Sequence, residues 1–529
     1  MTNKSAIVVG AGFGGLYMLH LLRANGYHVQ GFERGDDVGG TWYWNRYPGC
    51  RCDVESMEYS YQFADDLQQQ WDWSERYSAQ PEILRYANHV ADRYELRGLI
   101  RFEATVTAAT YDAQRKCWDV EINGDDTACA DYLIMATGCL SAANIPDFPG
   151  LADFQGNTYH TGQWPKDGVD FTGRRVGIIG TGSSGIQSIP LIAQQAEHLT
   201  VFQRTPNYSV PAQNKPLETA FVEDVKANYD DFRARNKAIP PAFGADFPRH
   251  FDSALDATPE EREARFEEHW RYGGFAFLAA FADIGLNMDA NWHAAEFVRN
   301  KIRAIVKDSN RAELLCPDTV IGCKRLCADT GYFETYNRDN VSLVDVSTNP
   351  IEKITTQGLV TGGVSFEFDD IVFATGFDAM TGALLRANIR GTSGVELKDK
   401  WREGPRTYMG LMTEGFPNLF TITGPGSPSV LANMITGVEH HAEYIIDLLN
   451  WMQAAGHETV EAERDAEDEW VELVNVRSQA TLFPRCNSWY LGANVPGKPR
   501  VFMPFLGFPD YCAKLDGIRD AGYAGLSFA

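Results

Sequence analysis

Gly10-Ala-Gly-Phe-Gly-Gly15 and Gly180-Thr-Gly-Ser-Ser-Gly185 are two glycine turns of one kind in a chain of 529 residues. The first follows the apolar run 6–9 and opens a segment with Leu16, Leu19 and Leu22 at helical spacing; the second has the same surroundings. One such turn is common in loops. Two, each between a buried strand and a helix, meet the requirements of a dinucleotide site twice. The glycines permit a tight turn, the approach of a pyrophosphate and helix-on-strand packing, and the helix N-terminus offers free N–H groups to phosphate. The expected fold is α/β: two Rossmann-like dinucleotide-binding domains that pass electrons from one nucleotide to the other.

The residue 23 positions beyond each turn separates the two sites. After Gly10 it is Glu33, at the end of the strand 29–32, where a carboxylate accepts hydrogen bonds from a free adenosine ribose. After Gly180 it is Gln203, followed by Arg204 and Thr205. A neutral residue beside an arginine accepts a 2′-phosphate. The first site therefore suits FAD and the second NADPH.

Between them, Gly39-Gly-Thr-Trp-Tyr-Trp-Asn-Arg-Tyr-Pro-Gly49 packs aromatic rings among glycines, as suits a flat flavin ring or an aromatic mini-core, and Arg51-Cys52-Asp53 closes the loop. An amphipathic helix is expected over 81–96 and strands over 106–120, with a turn at Gly124-Asp125. Ala136-Thr-Gly138 and Ala374-Thr-Gly376 each end an apolar strand, so the chain runs twice from a glycine turn to an A-T-G.

The second passage is the longer. Its extra residues lie mainly in 214–317, which is charged and helical in period, with a capping box at Thr258-Pro-Glu-Glu261 and an amphipathic stretch over 294–306. The expected division is an FAD domain of residues 1–140 and 378–529, an NADP domain of 141–213 and 328–377, and a helical insertion over 214–327. Near the end, Gly424-Pro-Gly426 is expected to open a helix over 429–451, whose start would offer a site to an anion or carbonyl.

Composition excludes several classes. The net charge of -24 argues against nucleic-acid or anionic-membrane partners. No apolar run reaches the roughly 18 residues of a membrane span, and residues 1–10 enter a strand without a secretion signal. Ten cysteines without a C-x-x-C pair read as reduced thiols of a cytoplasmic protein. Neither Cys50/Cys52, Cys323/Cys327 nor the adjacent His440 and His441 has metal-site spacing, so no metal is expected.

The stretch F-Q-G-N-T-Y-H-T-G-Q-W-P over 154–165 joins the two halves. Its Phe154, Gly156, His160 and Trp164 resemble the fingerprint of Baeyer–Villiger monooxygenases, and the similarity extends over nearly the whole chain. It includes 39–53, 180–207, 322–340, 373–382 and 487–502; Gly424-Pro-Gly-Ser-Pro-Ser429 and Pro499-Arg-Val-Phe-Met503 resemble the phenylacetone, steroid and cyclohexanone branch. The chain departs from the pattern at Gly507, one glycine where a pair is expected.

The resemblance implies that NADPH reduces FAD, that dioxygen adds to the flavin as a C4a-peroxide, and that a ketone becomes an ester or lactone. It implies catalytic roles for Arg325 and for Asp53, which positions it. FAD contacts are implied for Gly10, Gly12, Gly15, Glu33, Thr41, Trp42, Tyr43, Trp44, Asp53, Tyr59, Val106 and Met434. NADP contacts are implied for Arg51, Cys52, Asp53, Gly180, Gly182, Ser183, Ser184, Gly185, Gln187, Arg204, Thr205, Lys324, Arg325 and Trp489. Val430, Leu431 and Met434 line the implied ketone pocket, and His160 and Trp164 couple domain movement to catalysis. The implied partners are a small ketone and dioxygen, with the protein a monomer or weak homo-oligomer. Rival readings are an N- or S-oxygenating flavoprotein, against which Trp164 and Lys324-Arg325 argue; a flavin disulfide reductase, for which no cysteine pair is present; and a nucleotide-binding redox sensor without catalysis.

Overall fold

The computed structural model describes residues 4–501 and 503–529. Residues 1–3 of the amino-terminal reading and Phe502 of the carboxy-terminal similarity lie outside them. Two five-stranded parallel sheets organise the chain. In the first, strands Leu419–Thr421, Tyr132–Met135, Ser5–Val9, His28–Phe32 and Ile100–Arg101 lie side by side in that order. In the second the order is Val341–Asp345, His198–Gln203, Arg175–Ile179, Asp370–Phe373 and Asn157–His160. Their central strands are continuous apolar runs because both faces are covered.

The repeated A-T-G has a packing explanation. A Cβ on Gly10 would lie 2.6 Å from the Ala136 carbonyl oxygen, and one on Gly180 would lie 2.4 Å from that of Ala374. Both glycines hold positive φ, 104° and 112°, so each turn needs glycine for conformation and for space. The third glycines serve the helix–strand contact: a Cβ on Gly15 would meet the Gly10 oxygen at 1.8 Å, and one on Gly185 the Gly180 oxygen at 2.4 Å.

The amphipathic segment forms the helix Gln80–Arg93, stopping short of 96 where Glu95 takes positive φ. The expected strands and turn form the antiparallel run Val106–Asp112, Cys117–Ile122 and Asp126–Ala130. Between 214 and 327 lie the helices Thr219–Ala227, Tyr229–Lys237, Pro259–Tyr272, Met288–Ile305 and Ser309–Leu315. Thr258 and Glu261 make both bonds of the capping box. Arg233 of this region is buried against the Glu58 carbonyl, Gln68 and Ser60, so the helices are anchored to the chain that precedes the linker.

Two expectations are corrected. The helix after G-P-G begins at Met434, capped by the Asn433 side chain on Ile435 N–H, not at Ser429. Ser429 takes φ 44° and Ala432 is extended, which breaks the chain between a short 3₁₀ turn and the helix. Gly424 is instead packed against Thr421 and the Gly410 carbonyl, so G-P-G offers no helix terminus to an anion. The cysteines are not all reduced: Cys323 and Cys486 form a disulfide across 163 residues, which removes the thiol-only basis for a reducing compartment. No helix among the described residues is long and apolar enough to cross a membrane.

Candidate active site

Both glycine turns open into one continuous cavity of about 1700 Å³, well above the roughly 300–1,000 Å³ of a pocket for one drug-sized ligand. Gly10, Gly12, Glu33, Thr41, Trp42, Trp44, Tyr59 and Val106 line its first arm. Its second arm is lined by Arg51, Cys52, Gly180, Gly182, Ser183, Ser184, Gln187, Arg204, Thr205, Lys324 and Trp489. Asp53, Arg325, Val430 and Met434 line it as well.

The remaining sequence-derived residues are not in the lining, and each has a physical reason. Gly15 and Gly185 are consumed by helix–strand packing, as described above. Tyr43 turns away: its hydroxyl donates to Asp36 at 2.6 Å and its ring lies under Gly35. Leu431 packs instead into the apolar cluster of Cys139, Met380, Tyr490 and Met503. Phe154, Gly156, His160 and Trp164 are outside the cavity lining: Phe154 packs into the apolar cluster on the second sheet, and Gly156 is closed in by Asp369 and Phe154.

The residues that follow the glycine turns of the two arms differ in charge. In the first, buried Glu33 accepts the N–H of Ala11 at 2.8 Å and of Gly35 at 2.7 Å, so its carboxylate is fixed by the glycine turn it serves. In the second, Arg204 and Lys324 share the wall; burial, then the neighbouring Arg204 charge, holds the Lys324 ammonium below its ordinary range. Two cations that disfavour each other make a site for an anion. Gln203 takes no part: its side chain donates to the Leu314 carbonyl, away from the cavity.

Arg325 is the most constrained cation of the cavity. Nε and Nη2 donate to the two Asp53 oxygens at 2.5 and 2.8 Å, and Nη1 donates to the Val430 carbonyl at 2.9 Å. The guanidinium sits 4.8 Å over the Phe275 ring. Tyr490 lies beside it and, with Asp53, raises its basicity further despite burial. A guanidinium has five N–H donors, so this clamp leaves donor capacity for the cavity. Phe275 and Tyr490 were not singled out from sequence; Tyr490 lay inside the 487–502 stretch of similarity, whereas Phe275 carried no signal. The Cys323–Cys486 disulfide ties the residue before Lys324-Arg325 to the segment that carries Trp489.

The linker joins the two sheets. Asn157–His160 is an edge strand of the second sheet, paired with Asp370–Phe373, while Trp164 N–H donates to the Trp44 carbonyl of the first arm at 3.3 Å. Gly156 has no room for a side chain, with the Asp369 oxygen 2.3 Å from where its Cβ would lie. His160 is buried; its Nδ1 accepts from Gly162 N–H and its Nε2 faces the Thr375 hydroxyl at 3.3 Å. Burial lowers its pKa to about 4. Because the unfolded chain binds that proton from about pH 6.5, this contribution to stability is complete above pH 6.5 and is lost as pH falls toward 4, at about 1.4 kcal/mol per pH unit. The thermal midpoint of His160→Gln should therefore fall less steeply than that of the parent between pH 6.5 and 4. Parallel curves would show that His160 is not held neutral.

The residues present fit two dinucleotides. A Cβ on Gly182 would meet nothing within 4 Å, although its φ of -83° suits any residue, so the open space above it is a cradle left for a ligand. Gly12 stands at the start of the helix Phe13–Ala24, with Gly40 Cα 3.3 Å from where its Cβ would lie, and a helix N-terminus offers N–H groups to phosphate.

Comparison with known proteins agrees with this chemistry. A family model described as flavin-binding monooxygenase-like matches residues 3–213. A Baeyer–Villiger monooxygenase of Pseudooceanicola batsensis is 43% identical over 98% of this chain and 95% of its own length. A phenazine N-monooxygenase of Lysobacter antibioticus is 40% identical, over 99% of this chain and 97% of its own. The solved structure of an oxidised steroid monooxygenase bound to NADP superposes with a TM-score of 0.94 at 48% identity, covering 100% of this chain and 99% of its own.

Proposed function

Because the chain belongs to the Baeyer–Villiger family of flavin monooxygenases, we propose that it uses NADPH, dioxygen and bound FAD to oxidise ketones to esters or lactones. The observation that carries this reading is the Arg325 guanidinium, clamped by Asp53 in a cavity into which two dinucleotide cradles open. When bound and reduced, the flavin supplies the electrons that activate dioxygen. Arg325 stabilises negative charge on oxygen, and Asp53 aims it without removing its remaining donors.

Gly10, Gly12 and Glu33 hold the FAD pyrophosphate and ribose, and Trp42, Trp44 and Tyr59 flank its ring system. Gly180, Gly182, Ser183 and Ser184 hold the NADP pyrophosphate, with Arg204, Thr205 and Lys324 on its 2′-phosphate. Val430 and Met434 border the ketone, while residues 214–327 cover the site. His160 and Trp164 transmit movement between the units rather than touching substrate.

The glycines separate binding from packing. Gly182→Ala should keep the parent thermal midpoint and raise the KM for NADPH roughly tenfold, about 1.4 kcal/mol. Gly185→Ala should lower stability by about 1–3 kcal/mol through overpacking. If both variants lose stability alike, Gly182 is a packing residue too.

The phenazine N-monooxygenase favours a second reading, oxygenation of an aromatic nitrogen. A panel of cyclic, aryl and steroid ketones, with a nitrogen heteroaromatic beside them, decides between the two. Ester or lactone formed in step with NADPH use supports the ketone reading; an N-oxide alone replaces it.

A further inference from the structure

The buried imidazole of His269 has an unused ligand atom. His269 sits near the end of the helix Pro259–Tyr272 and is wholly buried. Its Nδ1 lies 2.6 Å from the Ala276 carbonyl, which fixes Nδ1–H as donor and leaves the lone pair on Nε2. That Nε2 is buried and has no hydrogen-bond partner among the described residues. Beside it stand half-buried His250, its ring centroid 5.5 Å away, and the exposed carboxylate of Glu268. One ligand atom from each of the three lies within 4.8 Å of the others.

We propose that His250, Glu268 and His269 form a binding site for a first-row divalent metal ion of the Zn²⁺ type. Two imidazoles and one carboxylate are a borderline donor set that suits Zn²⁺ rather than Ca²⁺ or Mg²⁺. A histidine whose other ring nitrogen is tied to a backbone carbonyl is oriented as metal-ligating histidines are. Bonds of about 2.0 Å place tetrahedral ligand atoms roughly 3.3 Å apart, so rotation of the exposed Glu268 and half-buried His250 side chains closes the site. Water supplies the fourth ligand. This reading departs from the sequence, where His250 and His269 are too far apart to form a recognisable spacing.

A second cluster, Cys117, Asp119 and Cys129, is the weaker candidate because Arg115 already places its cation on Asp119 and near the Cys129 sulfur.

An ion at His250, Glu268 and His269 clips a loop to a turn next to Arg325. His250 N–H already donates to the Ala279 carbonyl, and His269 is tied to Ala276. Both acceptors belong to the 3₁₀ segment Gly274–Ala279, which also carries Phe275 beneath the Arg325 guanidinium. The metal thereby fixes the platform of the cationic centre from outside the cavity.

The test is Zn²⁺ titration of tag-free, FAD-loaded protein against a chromophoric chelator, with hydrogen exchange of the 244–256 loop followed in parallel. The Cys129→Ser background breaks the competing Cys117, Asp119 and Cys129 cluster. One ion per chain should bind, with slower exchange in the loop. His250→Ala and Glu268→Gln should each weaken binding at least about tenfold. Neither side chain makes a hydrogen bond or ion pair among the described residues, so both variants should keep their FAD and thermal midpoint without metal. Co²⁺ in place of Zn²⁺ should show no thiolate charge-transfer band. Absence of stoichiometric Zn²⁺ binding, or parent affinity in either variant, overturns the proposal.

Discussion

Arg325→Ala should retain FAD and lose ester formation by a hundred- to a thousandfold, with residual NADPH oxidation yielding hydrogen peroxide. The guanidinium is held on three sides, by both Asp53 oxygens and by the Val430 carbonyl. It cannot swing away when charge develops nearby, so no reorganisation is needed at the moment of reaction. Removing one preorganised contact to a developing oxyanion costs about 2.7–4 kcal/mol. Cofactor binding should survive because the glycine turns and Glu33 lie on other elements. Asp53→Ala should fail in the same direction but less completely: Arg325 keeps its charge and its Val430 contact and loses only its aim. The measurement is ester formed per NADPH consumed, with peroxide assayed alongside. Ester formation by Arg325→Ala at the parent rate would mean that the clamp is structural.

Arg204→Ala should weaken NADPH use by tenfold or more and leave NADH use nearly unchanged. Loss of a charge-assisted contact costs about 1.5–3 kcal/mol, and NADH has no 2′-phosphate to lose it from. The structure sharpens this expectation by adding Lys324 to the same wall, with its ammonium held below its ordinary range partly by Arg204. Removing Arg204 relieves that repulsion, so Lys324 binds the phosphate somewhat better in the variant and the loss stays nearer the lower figure. A double variant with Lys324→Ala should lose more than Arg204→Ala alone. Equal losses for NADPH and NADH would refute the assignment of this arm to the phosphorylated nucleotide.

What the sequence disclosed was what local rules govern. Both glycine turns, the A-T-G repeat and the Thr258 capping box depend on backbone conformation and near neighbours, and each lies where its pattern places it. Glu33 and Arg204 both stand on the cavity wall, where their spacing from the glycine turns puts them. Gln203 shows the limit: it is neutral, as read, but its side chain serves the helix Ser309–Leu315. The disulfide between Cys323 and Cys486 spans 163 positions and has no local signature. Tyr43 and Leu431 look equivalent to their neighbours in sequence, yet one turns to Asp36 and the other into an apolar cluster. The helix start at Met434 was hidden because Gly424-Pro-Gly426 pointed to residue 429, whereas the turn there ends at extended Ala432 and Asn433 caps the helix that follows. Phe275 reaches Arg325 only because the helices between 214 and 327 fold back onto the cavity.

The most direct measurement is the fate of dioxygen. FAD-loaded protein is incubated with NADPH, a cyclic ketone and isotopically heavy dioxygen, and the product is identified by mass spectrometry. The account predicts a lactone that carries one heavy oxygen atom, formed with one NADPH consumed for each. Unchanged ketone with all the heavy oxygen recovered as hydrogen peroxide, across the whole ketone panel, would contradict it.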